Sequence, residues 1–271
     1  MHAHMYTYDN VIELPYQDTH IKKFQLYVHK QKWAELFNQD DLRFLKHKKY
    51  ILHDLQHDLY GVILKSSSWN YPSLKHDYVV SHRIKNIHFV KHHCYFEYEE
   101  DVIKFLCTDD YDEENEDINT DCAIIISPYY KNIMHIALNH AIVKQIILSF
   151  YVALLAYKVQ FKSININDMY IDEKMKQCTI KYKLSKPYTL KTNTILKIGC
   201  FVNTEILYQH SGENYKQLYV IIISVLQQFN KPCLQNLIEL IQDFNANDEH
   251  VIHPMKVLDC ILSQVDCLVL S

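Results

Sequence analysis

Hydrophobic and polar positions divide the chain into stretches of different period. From Trp33 the apolar residues Trp33, Leu36, Phe37, Leu42, Leu45, Leu52 and Leu55 recur at spacings of three, four and seven, the stripe of amphipathic helices. Short runs rich in β-branched and aromatic residues follow at 60–64, 78–84, 87–98, 102–107 and 122–126, and polar breaks separate them. They predict the strands of one antiparallel sheet. Beyond Pro128 the pattern turns helical. Residues 132–159 form one long apolar segment, 161–206 read as strands and turns, and 214–229, 232–243 and 254–265 predict three further helices. The expected class is therefore α+β, with a strand-rich part over residues 1–127, a helical part over 128–271 and a joint near 127–130.

The most apolar run, residues 146–157, lies between Lys144 and Lys158. It is shorter than the roughly 20 residues that span a bilayer, so it predicts a buried helix. Charge narrows the functional classes: 28 Lys and Arg against 32 Asp and Glu give a net charge of −4, which excludes a strongly basic nucleic-acid binder. An acidic run at 108–121 contains no glycine. It reads as a solvated loop rather than a calcium loop, whose sharp turn needs one. Eight cysteines without a CxxC pair and a polar N-terminus lead to the expectation of reduced thiols in an intracellular protein. Only three glycines, Gly61, Gly199 and Gly212, are present and none is near another, so a glycine-rich phosphate loop is missing.

The residues 144–173 (KQIILSFYVALLAYKVQFKSININDMYIDE) and 179–203 (TIKYKLSKPYTLKTNTILKIGCFVN) together resemble the centre of protein-kinase-like proteins encoded by large nucleocytoplasmic DNA viruses. In that family a long helix beginning with Gln leads to a catalytic loop of the form HNDLHTNNIMY, then to a Tyr-rich pair of strands and to a metal-binding KIIDFG. Gln145 corresponds to the helix Gln, Tyr182 and Pro187-Tyr188-Thr189 lie in the strand pair, and Leu196-Lys197-Ile198 occupies the approach to the last motif. The resemblance implies a bilobal protein-kinase-like fold.

On this pattern the chemistry is vacated. Phe161 stands at the loop His and Ser163 at the catalytic Asp, while the metal-binding Asn falls on Asp168 beside Asn167. The DFG triplet falls on Cys200-Phe201-Val202. A neutral Ser hydroxyl cannot orient the substrate proton as a carboxylate does, and Cys replaces the hard oxygen that Mg²⁺ prefers. The phosphate-binding lysine has four possible places on or beside strands, Lys65, Lys85, Lys91 and Lys104, and its Glu partner on a helix between strands is not placed by the sequence, because the predicted helices precede most of the sheet. The implied protein is a catalytically inactive kinase-like module without a cofactor or a metal. It would bind a viral or host protein in the host cytoplasm or the virion. Two other readings stay open: a virion or assembly protein without kinase ancestry, and a divergent active Ser/Thr kinase.

Other chemistry is weaker. His88, His92, His93 and Cys94 cluster in sequence, but in the strand expected there His93 would point away from His88 and His92. These histidines read as exposed or hydrogen-bonded, and His2 and His4 as a terminus. Cys200 in the apolar IGCFV reads as a small buried hydrophobe rather than a nucleophile. Arginine occurs only at Arg43 and Arg83, which disfavours bidentate phosphate recognition. The basic stretch at 43–50 reads as the wet side of a helix.

Overall fold

A computed structural model describes residues 43–45, 49–53, 59–66, 71–92, 94–98, 122–128, 130–209, 211–246 and 253–270; side chains are described at 75–92, 127–128 and from 130 onward, Met175 excepted. These residues fall into two compact units. The first takes in 43–82 and 90–128, the second 83–89 and 130–270.

The first unit is an antiparallel sheet of β1 (Arg43–Leu45), β2 (Lys49–His53), β3 (Leu59–Ser66), β4 (Cys94–Tyr98) and β5 (Cys122–Pro128), in the order β1-β2-β3-β5-β4. Helix α1 (Tyr71–Arg83) lies in sequence between β3 and β4. Two expectations are overturned here. The helical spacing read through 42–55 gives way to strands at 43–45 and 49–53, because β2 pairs along its whole length with β3, from Lys49↔Ile63 to His53↔Leu59. Of the basic stretch at 43–50, residues 43–45 and 49–50 lie on strands and 46–48 are outside the described residues. Conversely, residues 78–84 are mostly helix despite their β-branched content. Asp77, Val80, Ser81 and Ile84 are buried at spacings of three and one, while Lys75, Val79 and Arg83 are exposed, so the helical period decides over strand propensity. The strand expected over 87–98 shrinks to β4. The expectations for 33–42, 102–107 and 108–121 lie outside the described residues.

The second unit begins with β6 (Lys131–Asn132) and a 3₁₀ turn at Ile133–His135, then α2 (His140–Tyr157). Helix therefore starts eight residues later than the apolar pattern at 132 suggests. Asn139 fixes that start, since its side chain accepts a hydrogen bond from the Ile142 N–H at 3.0 Å. At the other end Lys158 adopts a left-handed conformation, φ 56°, where glycine is the usual choice. Its N–H meets the Leu154 carbonyl at 3.0 Å. The helix is long and apolar enough to cross a membrane by length and composition, yet two-thirds of it is buried inside the protein. It packs against the strands and helices that follow.

Those are β7 (Val159–Phe161), β8 (Met169–Lys183), β9 (Pro187–Ile198), β10 (Thr204–Ile206), α3 (Gly212–Gln228), α4 (Gln235–Ala246) and α5 (Pro254–Asp266). β8 and β9 form a long hairpin joined by β6, and β7 pairs with β10. The expected helices at 214–229, 232–243 and 254–265 are present, the second opened by a 3₁₀ turn at Pro232–Leu234. Helices α2 and α3 pack together, and the Tyr151 and Tyr219 hydroxyls meet at 2.6 Å within this otherwise apolar contact. Burial raises the Tyr151 phenol well above its ordinary value, so both hydroxyls stay protonated and pair with each other.

Gln145, fully buried on α2, clips the helix to β9: its amide donates to the Thr194 carbonyl at 2.9 Å and its oxygen accepts from the Leu196 N–H at 2.8 Å. Gln145→Ala strands the Leu196 N–H in the core, whereas the Thr194 carbonyl keeps the Thr192 hydroxyl at 2.9 Å. Urea unfolding is expected to show a loss of about 1 to 3 kcal/mol, the cost of one orphaned group.

Candidate functional site: the loop cluster at the ends of β7 and β9

Two loops of the second unit are held side by side by backbone. The β7–β10 ladder sets Phe161 opposite Thr204, and the Lys162 N–H donates to the Asn203 carbonyl at 2.8 Å. Residues 166–168 then make a 3₁₀ turn closed by Asp168 N–H to Asn165 O at 2.9 Å, with the Asn165 side chain accepting from the Asn167 N–H at 2.9 Å. The Gly199 N–H reaches the Asp168 carbonyl at 2.9 Å. Gly199 has no positive φ, so its value here is close approach rather than backbone freedom. The loop is also gripped from α3, whose Gln228 accepts from the Ile166 N–H at 2.8 Å and donates to the Ile164 carbonyl at 3.1 Å.

This geometry brings together the residues singled out in sequence. Ser163 and Asn167 are exposed on the first loop and Asp168 is half-buried at its end, one backbone hydrogen bond from the residue preceding Cys200. Cys200 and Val202 are half-buried, so the thiol is less enclosed than its apolar neighbours suggest. Phe201 is completely buried. Its ring lies 6.0 Å from Phe89 and 6.1 Å from Phe161, and Phe161 meets Phe150 of α2 edge-on at 5.2 Å. Phe161 and Phe201, which the resemblance sets at the loop His and in the triplet, thus pack against each other. Chemically, the cluster presents a hydroxyl, an amide, one carboxylate and a thiol.

The lysine and histidine readings change more. Lys85 and Lys91 are exposed and lie on no strand; Lys65 is on β3 but its side chain, like all of Lys104, lies outside the described residues. Helix α1 does intervene between β3 and β4, contrary to the expectation that helices precede the sheet, and it carries Asp77. His88 and His92 are on no strand and both are fully buried, so the exposed alternative fails and the hydrogen-bonded one holds. Among the described residues no three His, Cys, Asp or Glu side chains converge as a metal site; His93 and the Cys94 side chain are outside them.

His92 Nε2 donates to Asp77 at 3.1 Å and its Nδ1 meets the Ser127 hydroxyl at 2.6 Å. Ser127 is buried on β5, so this Ser–His–Asp chain joins α1 to β5 and offers no accessible nucleophile. His88 is held differently. Its Nδ1 lies 3.0 Å from the Leu196 carbonyl, an acceptor only, so Nδ1 carries the proton and Nε2 accepts from the Tyr182 hydroxyl at 2.8 Å. Burial depresses its pKa to about 3, and the neutral ring is fully satisfied.

Sequence reasoning named Lys197 only as part of the approach to the last motif and gave it no role, although a lysine inside the apolar run TILKIG is itself a signal. It is buried on β9, donates to the Ile87 carbonyl at 2.7 Å, lies 3.8 Å from the Asp172 carboxylate and stands 5.3 Å above the Tyr130 ring. Desolvation lowers its pKa to about 8.

No known protein family matches this chain, and no curated protein does. Among solved structures, a chain in the yeast RNA Pol II CTD kinase CTDK-1 complex is similar at 9% identity and a TM-score of 0.41, over 69% of this chain and 62% of that one. This chain thus spans less than two-thirds of that neighbour.

Phe201→Ala removes a buried aromatic and is expected to cost about 3 to 5 kcal/mol in urea unfolding. Ser163→Ala, on the exposed side of the same cluster, should change stability by about 0.5 kcal/mol or less. The reverse order would mean that the two loops are not assembled in this way. His88 gives a pH signature. Between its unfolded value near 6.5 and its folded value near 3 the unfolded chain binds a proton that the fold rejects, so its contribution is intact above pH 6.5 and is lost as pH falls. At about 1.4 kcal/mol per unit, the native protein should lose about 2 kcal/mol more than His88→Gln between pH 6.5 and pH 5. His82, also depressed by burial, is common to both proteins and cancels.

Proposed function

We propose that the chain is a kinase-like binding module that does not transfer phosphate. One observation carries this reading: the two loops are assembled by backbone, and the positions that the kinase pattern reserves for the base and the metal-binding Asp hold Ser163 and Cys200. In-line phosphoryl transfer rests almost wholly on positioning, metal ions and charge. Asp168 alone contributes a carboxylate, and one oxygen ligand does not hold a Mg²⁺ against its hydration. The packing of α2 against α3, the clip from Gln145 to β9 and the Phe161–Phe201 contact support the kinase-like part of the reading, since each falls where the resemblance puts its helix Gln, loop and triplet.

The proposed role is to present a rigid surface to a protein partner, viral or host, in the cytoplasm of an infected cell or in the virion. Aromatic residues favour that role energetically, because Tyr supplies contact area with a polar tip; the chain has 21.

The test is a melting scan and a transfer assay on the purified protein. ATP with Mg²⁺ at 100 times a dissociation constant would stabilise the fold by about 2.7 kcal/mol. No Mg²⁺-dependent rise in melting temperature is expected at millimolar ATP, and no incorporation of labelled phosphate into the protein or a generic substrate. Incorporation that disappears in Asp168→Ala would overturn the reading and favour the divergent active kinase.

A further inference from the structure

We draw no further inference here: the strongest candidate, the small apolar pocket that Phe150, Leu154, Phe161 and Leu218 line between α2, β7 and α3, carries nothing, because its two polar side chains, Gln160 and Asn214, already bond each other at 2.6 Å and nothing in the structure shows what would fill it.

Discussion

The second unit depends on how residues 83–89 are bound to β9. This short piece belongs to it although the helix before and the residues after belong to the first unit, and it has almost no regular structure of its own to satisfy its backbone. Three bonds do so. Lys197 donates to the Ile87 carbonyl, the Ile198 N–H to the His88 carbonyl at 2.7 Å, and the His88 ring to the Leu196 carbonyl. Burying a lysine and a histidine is costly unless their polar atoms are paired. Here His88 avoids the cost by staying neutral, and Lys197 offsets it with a carbonyl, a nearby carboxylate and an aromatic face. Residue 89 follows directly from this anchor, so the Phe89–Phe161–Phe201 packing is fixed by the same bonds.

The loop cluster that this arrangement supports takes its geometry mainly from backbone hydrogen bonds. The bonds that join residues 162–168 to 199–203, Lys162 to Asn203 and Gly199 to Asp168, run between backbone groups, while Gln228 holds the first loop to α3. The Ser163 side chain is exposed, so a change there leaves those bonds in place. Positions that hold the loops, Gly199, Phe201 and Gln228 among them, are constrained by close approach, burial and hydrogen bonding.

The first unit solves a similar burial problem with a closed polar chain. Asp77, His92 and Ser127 sit on a helix, an irregular segment and a strand, and each satisfies the next. The His92 N–H turns back to Ser81 at 3.4 Å and its carbonyl accepts from His82 at 2.8 Å. Such a network costs little when complete and is expensive when one member is removed. Its residue types are those of a hydrolytic relay, and burial of the serine makes it a brace.

Sequence alone determined the parts that depend on local period and composition. The apolar helices around Tyr151, Tyr219, Ile238 and Leu258 and the mixed region between Phe161 and Ile206 were legible because their side-chain spacing agrees with how they are buried, and the strands at 60–64 and 122–126 because of their β-branched and aromatic content. What only tertiary structure decided were the cases where a local signal is outvoted by a partner distant in sequence. Residues 43–53 carry helical spacing but find a strand to pair with, and 78–83 carry strand propensity but present a helical face to bury. The same holds for Lys197 and His88: a lysine and a histidine are read as polar in sequence, and only the carbonyls of Ile87 and Leu196, each more than a hundred residues away along the chain, make their burial stable.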